Sequence, residues 1–382
     1  MKAKPFRDLS YWERKSFQTY DVIIVGGGIV GLSTAVSVKE KDRSLSVAVL
    51  ERGVFPTGAS TRNAGFACFG SPSELLSDID VMGENETLDL VIRRWSGLKK
   101  LRQRLGDSRI RFQNKGGFEL LTKERLQVLE KIDYLNEILY PIFEKRVFEE
   151  SKTALSQFQL DDQFFCSAIF NPLEGQLDTG EMMKSLQGYA QLLGVNILSG
   201  IEVQTFQENQ NQIVLSVRSN TEDTELKASQ MAVCTNAFSQ QFFKNLDIKP
   251  GRGLVLITEP IKNLQLSGTF NFDEGFNYFR DIDDRILLGG GRNLAFDEEG
   301  VDQFGINEKI FNHLRKLLFE RILQKEVEIE MSWSGIMAFG KDKQPIIRRE
   351  SDKIVIGVKL GGMGVAMGTL VGEELADLLI GE

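Results

Sequence analysis

A glycine pattern near the start of the chain constrains its fold more than any other feature. The stretch YDVIIVGGGIVGLSTA places an apolar strand before Gly26, Gly28 and Gly31, which satisfy G-x-G-x-x-G, and a helix after them. A second apolar strand, LSVAVLER, contains Glu51, 20 residues beyond Gly31. In a strand–helix–strand unit of this size, the glycines allow a tight turn, close approach of a pyrophosphate and close helix–strand packing. The pattern therefore predicts a Rossmann-like domain that binds a dinucleotide.

Glu51 narrows the choice of dinucleotide. A carboxylate at the end of the second strand accepts hydrogen bonds from ribose hydroxyls and repels a 2′-phosphate, so NADP is disfavoured while FAD and NAD both fit. A nicotinamide dehydrogenase usually needs a protein acid or base, and the only histidine, His313, lies in an amphipathic helical pattern typical of a structural residue. A flavin carries the electrons itself, which favours FAD.

The C-terminal stretch GGMGVAMGTLVGEELADLLIGE joins a second glycine-rich turn to a helix. Gly361, Gly362, Gly364 and Gly368 remove side chains where a backbone would approach a flat ligand. The N-terminus of the following helix would stabilise negative charge on a bound ring. The alternative interpretation is a tight connection to a closely packed helix.

Composition indicates a globular protein that does not bind nucleic acid and does not span a membrane. The chain has 382 residues and a net charge of -8, which argues against a nucleic-acid-binding surface. The basic run between residues 93 and 111 is interpreted as a solvated helix face, although a nucleic-acid patch is the alternative. No stretch is long and apolar enough to span a bilayer.

Targeting and cysteine usage predict a cytoplasmic protein. The first 21 residues contain no apolar run of the secretory type. Cys68, Cys166 and Cys234 are far apart and lack metal-type spacing, so free thiols and no metal site are expected.

Taken in order, the motifs resemble the D-amino-acid oxidase-like superfamily of FAD-dependent oxidoreductases, which includes glycine oxidase, sarcosine oxidase and gamma-glutamylputrescine oxidase. LSYWER and GASTRNAG are most similar to the last of these. The resemblance covers almost the whole chain and rests on LSYWER, DVIIVGGGIVGLSTA, GASTRNAG, GQLDTGEMM, MAVCTNAFS, FNYFRDIDDRILLGGGRN, WSGIMAFGKDKQPII and GGMGVAMG.

The resemblance implies an α/β fold with two interleaved domains. A Rossmann-like FAD-binding domain with a parallel sheet would take residues 1–80, 165–248 and 334–382. An α+β substrate domain with a mixed or antiparallel sheet and helices would take residues 81–164 and 249–333.

The resemblance also implies which residues hold noncovalent FAD. The glycines of the first turn would hold the pyrophosphate, Glu51 the ribose, and the backbone of Val203 the adenine. The segment STRNAG would run along the pyrophosphate and ring, with Cys68 beyond it as a packed free thiol. The cofactor-binding set is Gly26, Gly28, Ile29, Val30, Gly31, Glu51, Arg52, Ser60, Thr61, Arg62, Asn63, Ala64, Gly65, Val203, Thr235, Asn236, Gly335, Gly362, Met363, Gly364 and Val365.

The implied reaction is oxidation of the C–N bond of an amine or amino acid. A hydride would pass to flavin N5, the imine would hydrolyse, and O2 or another acceptor would reoxidise the flavin, with H2O2 formed in the first case. No residue is assigned as acid or base, because desolvation could lower the amine pKa. The alternatives are an NAD-dependent dehydrogenase and a flavin-binding or tRNA-modification-type protein without amine oxidation.

The chain departs from its family in the substrate pocket. Where amino-acid oxidases of the family hold an arginine that clamps the substrate carboxylate, this chain has Met337. Arg280 and Arg292 are the candidate replacements, and Tyr278, Arg280, Trp333 and Met337 are the expected pocket residues. The lysine that activates oxygen in sarcosine oxidases matches a hydrophobic position near Leu287, so another electron acceptor is possible.

Overall fold

The computed structural model describes residues 9–219 and 223–381, so the start of the predicted FAD domain, residues 1–8, lies outside the described part. The described strands are β1 (Thr19–Val25), β2 (Val47–Glu51), β3 (Phe66–Ala67), β4 (Gly117–Leu121), β5 (Glu149–Glu150), β6 (Ser167–Asn171), β7 (Gly175–Gln176), β8 (Asn196–Ser199), β9 (Glu202–Glu208), β10 (Ile213–Arg218), β11 (Asp223–Val233), β12 (Lys249–Thr258), β13 (Thr269–Phe272), β14 (Asn277–Ile282), β15 (Arg285–Gly290), β16 (Ile329–Phe339), β17 (Ile346–Arg349) and β18 (Ile354–Val358).

The described α-helices are α1 (Tyr11–Phe17), α2 (Ile29–Lys41), α3 (Pro72–Met82), α4 (Glu84–Leu105), α5 (Ile132–Phe143), α6 (Ala154–Gln157), α7 (Thr179–Leu192), α8 (Glu308–Leu317) and α9 (Gly364–Ile380). Short 3-10 helices cover Ala59–Thr61, Lys123–Lys131, Asn236–Gln241 and Arg292–Leu294, and a π-helix covers Leu318–Ile322. None of the described helices is long and apolar enough to cross a bilayer.

The first sheet is the predicted dinucleotide-binding sheet. Strands β18, β11, β1, β2 and β8 lie side by side and parallel, and β17 pairs antiparallel with β18. Alternate residues of the central strands enter opposite cores, since Val22 and Ile24 pack with the helices while Ile23 and Val25 pack with β9–β11. The strand–helix–strand unit formed by β1, α2 and β2 is thereby confirmed.

Helix α9 packs closely between α2 and α4 because glycines line both contacts. A Cβ on Gly368 would lie 2.7 Å from a methyl of Ile29 in α2. A Cβ on Gly97 of α4 would overlap the carbonyl of Ala366 in α9. The alternative interpretation of the C-terminal glycines was close helix packing, and it holds for Gly368.

The second sheet has the order β16-β12-β15-β14-β13-β4-β6-β5. Its strands pair antiparallel except for β13 and β4, which are parallel, so the predicted mixed sheet is confirmed. Phenylalanines dominate the core beneath it, and Phe118, Phe270 and Phe279 form a stack with centroid separations of 5.0 and 4.9 Å.

Three segments pack with a different sheet or core from the one that the predicted domain ranges assign to them. Strand β6 pairs with β4 and β5 in the second sheet, although the range 165–248 places it in the FAD domain. Strand β16 pairs with β12 over its whole length, so residues 334–339 also belong to the second sheet. Helix α4 buries Leu98 and Leu101 in the core shared with α2 and α9, although the range 81–164 places it in the substrate domain.

The basic run between residues 93 and 111 is largely neutralised by ion pairs. Six of its eight cations lie within 4 Å of a carboxylate: Arg93 with Glu374, Arg94 with Glu74, Lys100 with Glu373, Arg102 with Asp107, Arg104 with Glu40, and Arg111 with Asp178 and Asp283. These partners tie α4 to α9 and to α2, so the run serves the packing of the fold.

Candidate functional site

The first glycine turn lies between β1 and α2 and leaves no room for side chains. Gly26 has a φ of +111°, and a Cβ there would lie 2.7 Å from the carbonyl oxygen of Cys234. A Cβ on Gly31 would overlap the carbonyl of Gly26. Larger residues at these two positions would push the turn away from the sheet.

The N-terminus of α2 faces this turn and is suited to an anion. Gly28 caps the helix without a side-chain hydrogen bond, and the first turn contains no acidic residue. The N–H of Ile29 donates to the hydroxyl of Ser60 at 2.9 Å. The helix dipole and free N–H groups would therefore stabilise a pyrophosphate here.

Glu51 ends β2 and is 8% exposed. Its Oε2 accepts from the N–H of Gly27 at 3.0 Å, and its Oε1 accepts from the N–H of Gly53 at 2.9 Å. The carboxylate is thus fixed between the glycine turn and the end of β2. The neighbouring Arg52 lies 4.0 Å over the ring of Phe238.

The segment STRNAG forms a wall that hydrogen bonds hold against two neighbouring elements. Asn63 Oδ1 accepts from the N–H of Gly65 at 2.8 Å and from the hydroxyl of Thr179 at 2.9 Å. Arg62 Nη1 donates to the carbonyl of Ser334 at 2.9 Å, and Trp333 Nε1 donates to the carbonyl of Arg62 at 3.1 Å. These bonds tie the wall to α7 and β16.

One cavity of about 720 Å³ runs between both glycine turns and the second sheet. A Cβ on Gly362 or Gly364 would meet nothing within 4 Å, so the second turn leaves open space. The predicted residues that line the cavity are Gly26, Gly28, Ile29, Val30, Glu51, Arg52, Ser60, Arg62, Asn63, Ala64, Gly65, Val203, Thr235, Asn236, Tyr278, Gly335, Met337, Gly362, Met363, Gly364 and Val365. Gly31, Thr61, Arg280 and Trp333 are outside this lining.

Arg280 lies behind the wall, which corrects the expectation that it faces the pocket. Its Nη1 donates to the carbonyls of Leu177 at 2.9 Å and Gly65 at 3.2 Å, and the residue is 3% exposed. Burial lowers the pKa of its guanidinium to about 10. Trp333 likewise holds the wall in place, because its Nε1 donates a hydrogen bond to the carbonyl of Arg62. Local sequence shows neither role, because both depend on backbone carbonyls distant along the chain.

Arg292 is the candidate arginine that does line the cavity. Its guanidinium carbon lies 4.0 Å over the ring of Phe339 and 4.7 Å over that of Phe296. No described carboxylate forms an ion pair with it, and burial lowers its pKa. It is therefore a cation whose hydrogen-bonding groups are available to a ligand.

Two polar groups of β13 and β14 lie on the same cavity wall. Tyr278 stands opposite Asn271 in the register of these strands, and both line the cavity. Burial raises the pKa of Tyr278 to about 12, so its hydroxyl remains protonated. The buried Oδ1 of Asn271 has no hydrogen-bond partner among the described residues. Asn271 is not among the pocket residues expected from the sequence, and its position opposite Tyr278 indicates it only once the strands are paired.

Cys68 lines the cavity but is not a reactive thiol. Burial, together with the charges of Glu174 and Glu74, raises its pKa well above the ordinary value. His313 lies outside the cavity lining, on α8, as expected of a structural residue. No group of side chains in the described ranges could hold a metal ion.

Two glycine turns, the buried carboxylate of Glu51 and a covering sheet surround one cavity, an arrangement typical of dinucleotide-binding proteins. Residues 21–378 match the DAO family of FAD-dependent oxidoreductases, and the chain belongs to that family. The residues around the cavity fit FAD, because the first turn offers free N–H groups and the second leaves room for a ring. The family assignment favours FAD over the nicotinamide alternative.

Known proteins resemble the chain over most of its length. A D-amino acid dehydrogenase of Helicobacter pylori is 23% identical, covering 94% of both chains. An L-2-hydroxyglutarate dehydrogenase of Escherichia coli is 24% identical, covering 79% of this chain and 74% of its own. The crystal structure of glycine oxidase from Geobacillus kaustophilus superposes with a TM-score of 0.73 at 21% identity, covering 94% of both chains. That structural likeness confirms the fold.

Proposed function

We propose that this protein oxidises the C–N bond of a small amine or amino acid with noncovalently bound FAD. The observation that carries the proposal is the single cavity that joins both glycine turns to Tyr278, Asn271 and Arg292. FAD, when bound, would supply the two-electron acceptor. The turn at Gly26, the carboxylate of Glu51 and the wall from Ser60 to Gly65 would hold it.

The pocket residues support a substrate that carries a carboxylate. Met337 cannot bind an anion, whereas Arg292 keeps its hydrogen-bonding face free between two rings. A planar guanidinium binds a carboxylate through two parallel hydrogen bonds, and partial burial strengthens them. Tyr278 could donate a further hydrogen bond and Asn271 could accept one from a substrate nitrogen. An amino acid or N-substituted amino acid meets this set of groups.

A second candidate substrate is a 2-hydroxy acid. The similarity to an L-2-hydroxyglutarate dehydrogenase favours it, and Arg292 would bind its carboxylate equally well. The two candidates differ in the atom that is oxidised, a carbon bonded to nitrogen or to oxygen.

Anaerobic reduction of the flavin tests this function. We expect purified protein to be yellow and to release FAD on acid precipitation, and we expect an amino acid or N-substituted amino acid to bleach the flavin band. A panel of amino acids, matched 2-hydroxy acids and matched amines without a carboxylate distinguishes the candidates. Bleaching by hydroxy acids alone would assign the second candidate, and bleaching by no member of the panel would contradict both. Reoxidation in air, with or without H2O2, then distinguishes an oxidase from a dehydrogenase.

The carboxylate role of Arg292 predicts a selective defect. Arg292→Met should raise the KM of an acidic substrate about 10-fold to about 150-fold, because a charge-assisted hydrogen bond contributes about 1.5–3 kcal/mol. The KM of the matched amine without a carboxylate should change little. Arg285→Met, at the other end of β15 and paired with Glu330, is the control. An equal increase in KM for both substrates would show that Arg292 does not bind the substrate carboxylate.

A further inference from the structure

A buried group of charged side chains forms part of the cavity wall on the side of α3. We call it the carboxyl cluster: Glu74, Asp78, Glu119 and Glu174 with the cations Arg94 and Lys343. Asp78, Glu119 and Glu174 are each no more than 4% exposed, and Arg94 is 1% exposed. The role in FAD binding and substrate binding proposed above uses none of these groups.

Two of the four carboxyl groups have cationic partners. Arg94 lies 3.3 Å from Glu74, while Lys343 lies 3.2 Å from Glu74 and 2.6 Å from Asp78. Lys343 has a side chain that is 47% exposed, so it connects the cluster to solvent. Nearby cations can therefore balance the negative charges of Glu74 and Asp78 when these carboxyl groups ionise.

The other two carboxyl groups form no ion pair with a described residue. Glu174 accepts from the N–H of Phe69 at 3.1 Å, and Glu119 accepts from the N–H of Ser73 at 3.0 Å and from its hydroxyl. Ionisation of all four carboxyls against two cations would leave two uncompensated buried charges, which is costly. Burial, reinforced by the charge of Glu74, raises the pKa of Glu119 to about 7 and that of Glu174 to about 8.

Glu174 differs from Glu119 because it lines the cavity. Cys68, Glu74, Asp78, Arg94 and Lys343 line the same cavity. Ser71 and Asp78 also line the cavity, and each has a buried oxygen that finds no hydrogen-bond partner among the described residues. Such oxygens can carry hydrogen bonds through water.

Three other titratable groups of the cavity, Tyr278, Cys68 and Cys234, keep their protons near neutrality. Tyr278 and Cys68 hold their protons because burial raises the pKa of both. Burial raises the pKa of Cys234 to about 12, and Arg292 remains a cation. Glu174 is a buried carboxyl of the cavity lining that has no cationic partner among the described residues, and its raised pKa is near the pH at which a general base is most effective.

We propose that Glu174 accepts the proton that a substrate ammonium must lose before its C–N bond is oxidised, and that the carboxyl cluster returns this proton to solvent. The inference rests on the proposed function. In this step an N–H bond breaks, its electron pair stays on nitrogen, and the proton bonds to a carboxylate oxygen of Glu174. No electrons are transferred, so the step needs no oxidant.

The first test follows the visible absorbance of the flavin with pH in the holoenzyme without substrate. Ionisation of a carboxyl in the cavity wall should perturb this spectrum with an apparent pKa near 8. Glu174→Gln keeps an oxygen for the N–H of Phe69 and should abolish the transition. Glu119→Gln should keep the transition but shift it to lower pH, since the charge of Glu119 raises the pKa of Glu174. An unchanged transition in Glu174→Gln would overturn the proposal.

The second test measures the rate of anaerobic flavin reduction against pH with two amines whose ammonium pKa values differ. The rate should rise with pH in two steps. The apparent pKa of one step should follow the ammonium pKa of the amine, and that of the other should stay near 8 for both amines. We call the second step the fixed limb. Glu174→Gln should lose the fixed limb, and Glu174→Asp should restore it in part. A fixed limb that survives in Glu174→Gln would contradict the proposal. If no amine reduces the flavin, the proposed function fails and the proton step fails with it, while the absorbance titration still reports whether Glu174 ionises in the cavity wall.

Discussion

Replacement of Gly65 by alanine is expected to weaken FAD binding at least about tenfold. Gly65 has a φ of +72°, and a Cβ there would overlap the carbonyl of Leu177 and lie 3.1 Å from Arg280 Nη1. The left-handed conformation costs a non-glycine residue about 1–2 kcal/mol, and the overlap must also displace the wall from the cavity. We expect FAD affinity to fall at least about tenfold, which corresponds to about 1.4 kcal/mol. Titration of apoprotein with FAD measures it.

Two control variants separate the causes of this loss. Gly106 has a φ of +83°, but a Cβ there would meet nothing within 4 Å, so Gly106→Ala carries the conformational cost without the overlap. Cys68→Ser changes the same segment without a larger side chain. Both should retain FAD, and equal losses of FAD in Gly106→Ala and Gly65→Ala would show that the overlap has no role.

Replacement of Glu51 by alanine has the second large expected effect. The carboxylate accepts from the N–H groups of Gly27 and Gly53, and its removal leaves both without this acceptor. An unsatisfied N–H at the buried Gly27 costs about 1–3 kcal/mol, and the ribose would lose its acceptor as well. We expect a decrease of about a hundredfold or more in FAD affinity and a lower free energy of unfolding of the apoprotein, measured by FAD titration and by urea denaturation.

Glu202 provides the matched control, because it also lines the cavity at the end of a strand. Its described side-chain hydrogen bond is to the amide of Gln204, at 2.8 Å. Glu202→Gln should change FAD affinity less than about twofold. A similar loss in both variants would mean that general negative charge at this end, and not the bonds of Glu51, holds the cofactor.

The dinucleotide turn could be predicted from sequence because its physics is local. The positions of Gly26, Gly28 and Gly31 relative to one strand and one helix decide whether a backbone can turn and approach a phosphate. Glu51 follows from the same short unit, since it lies at the end of the next strand. The glycines of residues 361–364 were equally visible, although sequence could not separate a ligand-facing turn from tight packing.

The polar groups of the substrate side could not be predicted in the same way. Arg280 and Arg292 are close in sequence and equal in charge, yet one bonds the carbonyls of Gly65 and Leu177 while the other faces the cavity. Glu174 and Glu119 are ordinary acidic residues in the sequence. Their raised pKa values arise because β4, β7 and α3 meet and leave them without cations.

The sequence alone therefore determined the class of cofactor site, because strand pattern and glycine spacing act over short stretches of chain. The mixed second sheet was expected only from the family resemblance. The tertiary structure alone decided that β6, β16 and α4 lie across the expected domain boundaries, and which charged side chains reach the cavity. Pairing between distant strands and the burial of a charge depend on elements that are far apart in the chain, and no local pattern records either.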